Sequence, residues 1–205
     1  MLTEVLSGAS ACPPECATCQ RLRDAAAAAT LMAGGGAVTL ADLAAAAGVP
    51  ATRAIGHCPE GATRVVADAY RRAATELYGE YESSFRLAGS WPENLSASLQ
   101  RLLRRLAQEP AIAHLCFVAP TSGHDELREI REGFRERYVA LLEREHRSRA
   151  DGEPLPSLQL ELMVGAVFRT IAGLVGEGRA PELPSLLEDV TGAAQVFEPR
   201  VPVTV

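Results

Sequence analysis

Residues 39–70 read TLADLAAAAGVPATRAIGHCPEGATRVVADAY. Leu40, Leu43, Ala44 and Ala47 recur at the i, i+3, i+4, i+7 spacing that places side chains on one helix face. Thr39 stands just ahead of them as an N-cap, its hydroxyl placed to accept from a first-turn amide. Gly48 closes the segment, because helices commonly end in left-handed backbone that glycine adopts without a Cβ clash. Val49 follows as an apolar plug, and Pro50 suits a turn or a first helical turn. A second segment over 51–57 ends before Pro59. Helix, glycine turn and short helix form the grammar of a helix-turn-helix.

Working outward, 16–33 reads as a helix with Leu22, Ala25, Ala26, Ala29 and Met32 or Ala33 inward, stopped at Gly34-Gly35-Gly36. Val66, Tyr70, Ala73, Leu77 and Tyr81 give 62–85 the spacing of a connecting helix. Residues 93–108 carry a stripe of Leu95, Leu99, Leu102, Leu103 and Leu106. A short apolar helix follows around Ile112, Leu115, Cys116 and Val118, then a long one over 125–149 with Leu127, Ile130, Phe134, Tyr138 and Leu141 inward. Two final helices are expected over 157–176 and 184–197. No strand-like alternation persists and no internal repeat is present. The expectation is an all-α chain of about nine helices: an N-terminal three-helix DNA-binding head over 16–62 and a helical ligand-binding and dimerisation domain over 63–197. Residues 1–15 and 198–205 are expected to form flexible tails.

The pattern T-x-x-D-[IL]-A-x-x-A-G-V is matched at Thr39, Asp42, Leu43, Ala44, Ala47, Gly48 and Val49, and continues to His57, Cys58 and Pro59. Upstream, Arg21, Asp24, Ala25, Ala26, Gly36 and Val38 fall at the start and close of a preceding helix and the entry to the next. Over 19–70 this resembles the DNA-binding motif of TetR-family transcriptional regulators. The resemblance implies a homodimeric one-component regulator of repressor type, bound to double-stranded operator DNA and released by a small-molecule ligand held among the middle helices. Ala51, Thr52, Ala54 and Ile55 stand where that family usually has polar or basic residues, with Cys58 for an aromatic and Gly61 for a basic residue. Those departures support an alternative: a dimer of the same fold that binds a ligand or partner but not DNA.

The chain has 205 residues, a formal charge of −6 and no lysine, which excludes a broadly basic nucleic-acid coat but not a local basic face. The apolar runs at 25–33 and 162–176 read as too short for a membrane span, the second being broken by Arg169. No basic segment precedes an apolar run at the N-terminus, so the expected location is the cytoplasm. No Ser/His/Asp constellation, phosphate-cradling glycine loop or HExxH occurs, so neither catalysis nor a cofactor is expected.

In a helix-turn-helix, the start of the second helix meets base edges in the major groove, which selects Ala51, Thr52 and Arg53. Arg53 suits a guanine edge or a phosphate, and Ala51 and Thr52 a thymine methyl. Thr39 offers its hydroxyl and amide to a phosphate, and His57 and Arg64 add backbone contacts. Trp91, on a loop bounded by glycine and proline, reads as a lid over a ligand cavity, with His114, Phe117, Phe134, Tyr138 and Phe168 as lining. The plainer reading of these six is core packing. The helix over 157–176 is apolar on most sides, so covering it calls for a second copy. Its interface is expected to use Leu160, Val164, Val167, Ile171 and Leu174, with Leu183, Leu187, Val190 and Ala194 from the last helix.

Five cysteines, an odd number, argue for thiols rather than a disulfide framework. Cys12, Cys16 and Cys19 have the C-x3-C-x2-C spacing of a radical-SAM cluster, but that fold needs strands that this sequence lacks. A zinc or iron–sulfur site completed by Cys58 or His57 is the smaller version, and a thiol- or metal-responsive regulator the second alternative. The weightier expectation is no metal, with Cys58 buried as a small hydrophobe.

Overall fold

The structure, a computed structural model, describes residues 16–85, 90–121, 124–149 and 155–196. Among these are nine α-helices and no strand. The head comprises α1 (Ala17–Met32), α2 (Leu40–Ala47) and α3 (Ala51–His57), and α4 (Gly61–Ser84) carries the chain away from it. The body follows as α5 (Trp91–Gln108), α6 (Pro110–Ala113), α7 (Asp125–Arg149), α8 (Ser157–Gly176) and α9 (Leu186–Val196). The tails and Cys12 lie outside the described residues.

Capping chemistry explains where the elements differ from expectation. The Ser90 N–H and hydroxyl both donate to the Glu93 carboxylate, at 2.9 and 2.8 Å, so α5 begins two residues before 93. Pro92 lies in that first turn, where a missing N–H costs nothing. Trp91 is therefore not a loop lid: it is buried in the first turn of α5, its ring edge-on to His146 at 5.0 Å. The short apolar helix after Pro110 changes pitch, passing through a π-helical turn (His114–Val118) into a 3-10 turn (Ala119–Thr121). The expected last helix over 184–197 is also divided. Pro181 and Pro184 belong to a 3-10 turn (Ala180–Ser185), so Leu183 precedes α9, and residue 197 lies outside the described residues.

One apolar core runs without a break from Cys19 and Leu22 of the head to Leu183 beyond α8. Edge-to-face rings tie its middle together: Tyr78 and Tyr81 of α4 meet Tyr138 of α7 at 5.3 and 5.1 Å, and Tyr138 meets Phe168 of α8 at 5.5 Å.

The core corrects the reading of α8. Leu160, Val164 and Ile171, expected at a dimer interface, are buried within the protomer, as is Leu183. Here α8 packs on α7 and on the π-helical turn, so these side chains already have partners. Val167, Leu174, Leu187 and Val190 are half-buried, and the side chain of Ala194 lies outside the described ones. Leu158 and Leu162 are instead exposed, at 65% and 61%. With 20 residues, α8 has the length and composition of a membrane span, contrary to the expectation that it is too short. Its buried residues and exposed Arg169 mark it as a helix of the bundle.

Candidate nucleic-acid interface

The turn between α2 and α3 is built from both ends. Thr39 and Asp42 form a reciprocal capping box: the Thr39 N–H and hydroxyl donate to Asp42 Oδ2 at 2.8 and 2.6 Å, and the Asp42 N–H donates to Thr39 Oγ1 at 3.2 Å. The Thr39 hydroxyl and amide hold the Asp42 carboxyl below the usual range. At the other end Gly48 is left-handed, φ +61°, and the Val49 N–H donates to the Ala44 carbonyl at 2.9 Å. Arg21 of α1 donates to the carbonyls of Ala47 and Gly48 at 2.7 and 3.1 Å, placing a cation on the negative end of α2.

The corner sets α3 across α2 with Ala54 fully buried beneath it. Ala51, Thr52, Arg53, Ile55 and Gly56 are left exposed. No carboxylate pairs with Arg53 among the described residues. Ile55, 61% exposed, is the one large side chain of this face that sequence reasoning did not select. Its signal is the helical period: with Ala54 inward, Ile55 stands one turn beyond Ala51 and Thr52.

Three other expected DNA contacts are differently engaged. Both Thr39 donors are held by Asp42, so a phosphate would have to displace that carboxylate. Arg64 lies within 3.5 Å of Glu60 and 3.4 Å of both Asp68 and Glu126, so three carboxylates offset its charge. The His57 ring turns toward α1, with Nδ1 3.4 Å from Cys16 Sγ.

Of the six aromatic and histidine candidates for a ligand cavity, two share one. Tyr138 and Phe168 line a narrow apolar cleft of about 30 Å³ together with Tyr81, Leu95, Leu99, Leu102 and Val167. Burial raises the Tyr81 and Tyr138 hydroxyls above the usual range, so both stay protonated. Phe117 stacks behind Phe168 at 5.1 Å, and Phe134 lies between Tyr70, at 6.3 Å, and the Arg137 guanidinium. His114 faces a second, smaller cleft, of about 20 Å³, between the head and the π-helical turn, beside Thr30, Val66 and His124. Its Nδ1 is buried without a hydrogen-bond partner, and burial lowers its pKa.

The thiols converge as well. The metal-binding atoms of Cys16, Cys19 and His57 all lie within 4.8 Å of one another, and the Cys19 Sγ is 3.6 Å from the His57 carbonyl oxygen. Cys58 is buried next to them and lines the same surface cleft as Cys19 and His57.

No family model and no curated protein matches this chain. Solved structures do. The fatty acid degradation regulator FadR from Bacillus halodurans is 16% identical, with a TM-score of 0.69 over 84% of this chain and 95% of that one. A proposed transcriptional regulator from Pseudomonas aeruginosa PAO1 is also 16% identical, with a TM-score of 0.58 over 88% and 93% of the two chains. At this identity the likeness is one of fold, and it extends across head and body together.

Proposed function

We propose that a chain with this fold is a cytoplasmic one-component transcriptional regulator of the TetR type, bound to operator DNA through α3 as a homodimer. The observation that carries the reading is the outward face of α3. A capped α2, a left-handed Gly48 and a buried Ala54 hold Ala51, Thr52, Arg53 and Ile55 toward solvent at the start of a helix, where a groove-reading helix needs its contacts. Arg53 supplies a guanine or phosphate contact, and Ala51, Thr52 and Ile55 supply apolar contact to thymine methyls. The two solved structures described above carry regulator names, which supports the same reading.

The apolar cleft between α4, α5, α7 and α8 is the effector site in this proposal, with head residues 16–62 and body residues 63–197 as the two functional halves. Its wall of leucine, valine and aromatic side chains is almost wholly apolar and suits an apolar ligand. The likeness to a regulator of fatty acid degradation points to the same chemical class. Effector binding would release the DNA by shifting the two recognition helices off half-sites about 34 Å apart, as a repressor does.

The test is selection of genomic fragments on the purified chain at low salt, followed by titration of the recovered site. Arg53→Ala should weaken specific binding by about 1–3 kcal/mol. Unchanged affinity in that variant would remove Arg53 from the interface.

A second reading draws on the low charge of the α3 face, which has one arginine beside the exposed Ile55, and on the carboxylates around Arg64. In it the head docks a protein partner rather than DNA. Recovery of no specific fragment from the same selection would favour it.

A further inference from the structure

We infer that Cys16, Cys19 and His57 form a binding site for a divalent metal of zinc type, fastening the start of α1 to the end of α3. Cys16 is the N-cap of α1, and Cys19 lies three residues on, so their thiols share one face of the first turn. His57 is the last residue of α3 and comes from 41 positions further along the chain. A tetrahedral zinc with Zn–S near 2.3 Å and Zn–N near 2.05 Å needs S···N edges of about 3.6 Å and S···S edges of about 3.8 Å. Cys16 Sγ and His57 Nδ1 stand 3.4 Å apart, and all three donor atoms fall within 4.8 Å of one another. Sub-ångström side-chain shifts close that set on an ion.

A helix N-terminus stabilises negative charge, and both thiols sit at that end of a 16-residue helix. Binding converts two thiols to thiolates and releases two protons to solvent, while the imidazole binds in its neutral form. Two thiolates and an imidazole suit zinc and related soft or borderline ions. Cys19 and His57 also line a surface cleft, from which a water could supply a fourth ligand.

The consequence is mechanical. The exposed face of α3 begins six residues before His57, and an ion held there couples the pitch of α3 to α1. An effect on DNA recognition would rest on the function proposed above. Metal binding itself does not, and it is tested without DNA.

The full-length chain is reduced, stripped of metal and titrated anaerobically with Co²⁺. The expected result is one equivalent per chain with a thiolate-to-cobalt charge-transfer band and tetrahedral d–d bands, displaced by Zn²⁺. Cys16→Ser, Cys19→Ser and His57→Gln should each weaken binding by more than the roughly 10–100-fold that loss of a supporting outer-shell partner costs. Cys116→Ala, whose thiol is buried in the body, should leave the titration unchanged. Far-UV circular dichroism shows that each variant has folded. Zinc should also slow amide hydrogen exchange in the last turn of α3 in the wild type but not in His57→Gln. Absence of the charge-transfer band, or a band indifferent to His57→Gln, overturns the site. An Arg53 result has no bearing on it.

Discussion

Glu126, in the first turn of α7, accepts a 2.8 Å hydrogen bond from Arg71 of α4 and lies 3.4 Å from Arg64 one turn pair closer to the head. One carboxylate of the body thus holds two cations of the helix that leads to the recognition elements. Aromatic contacts between α4 and α7 continue the link further along, from Tyr78 and Tyr81 to Tyr138 in the wall of the apolar cleft. A ligand that moved Tyr138 would act on α4 directly.

Releasing Arg64 should raise affinity for DNA. In Glu60→Gln/Glu126→Gln two of the three carboxylates around its guanidinium become neutral. The pairs are largely exposed, so the cost in stability should stay under about 1 kcal/mol. The slope of log K against log salt should steepen by up to about one unit as Arg64 becomes free to meet a phosphate. A binding isotherm at several salt concentrations reads the change, and an unaltered slope would mean that Arg64 does not face DNA.

The corner of the head should depend on backbone more than on space. A Cβ added at Gly48 would meet Arg21 Nη2 at 3.5 Å, an ordinary contact, but the residue sits at φ +61°. Gly48→Ala should therefore cost about 1–2 kcal/mol through the left-handed backbone alone. Chemical denaturation should show a lower midpoint with an unchanged m-value. A neutral result would mean that the corner relaxes.

Much of the head was legible in the sequence because its signals are local. Thr39, Gly48 and Pro50 act on backbone within a few residues, and their geometry follows from residue type. The body was less legible. Periodicity told that α8 is apolar on most sides, but not which side its own chain covers, so Leu160, Val164 and Ile171 were assigned outward while Leu158 and Leu162 hold that place. Trp91 was misplaced because Pro92 reads as a breaker, whereas the Ser90–Glu93 box makes it a first-turn residue. The cluster of two thiols and an imidazole was half visible. The C-x3-C-x2-C spacing shows Cys16 and Cys19, and His57 stood beside Cys58 as a completing ligand; that the imidazole lies against both thiols follows from a tertiary contact that no local pattern encodes.

Acid should weaken the junction of head and body through His114. Its imidazole is buried, Nδ1 has no hydrogen-bond partner, and burial lowers the folded pKa below the ordinary 6.5. The unfolded chain then binds the proton more readily. The stability tied to neutral His114 is present above 6.5 and is lost as pH falls through the folded value. Melting temperatures from pH 7.5 to 5 should fall more steeply for the wild type than for His114→Gln. Equal slopes would assign the acid sensitivity to other groups.

The outer side of α8 is where a second copy should dock. Leu158 and Leu162 are exposed one turn apart, and Ala166 and Gly173 further along the same side are small enough for close approach of a facing helix. Leu158 and Leu162 leave an apolar strip beside exposed Glu161 and Arg169, and a two-fold partner offers the same surface in return. Leu162→Arg should convert dimer to monomer in sedimentation equilibrium while changing protomer stability by only about 0.5 kcal/mol, because the side chain is 61% exposed there. Ile171→Arg provides the contrast. That position is fully buried in the protomer, so the charge should unfold the chain rather than dissociate it. A Leu162→Arg protein that remains dimeric would move the interface off α8, and a wild type that sediments as a monomer at every concentration would remove the two-fold arrangement from the proposed mechanism.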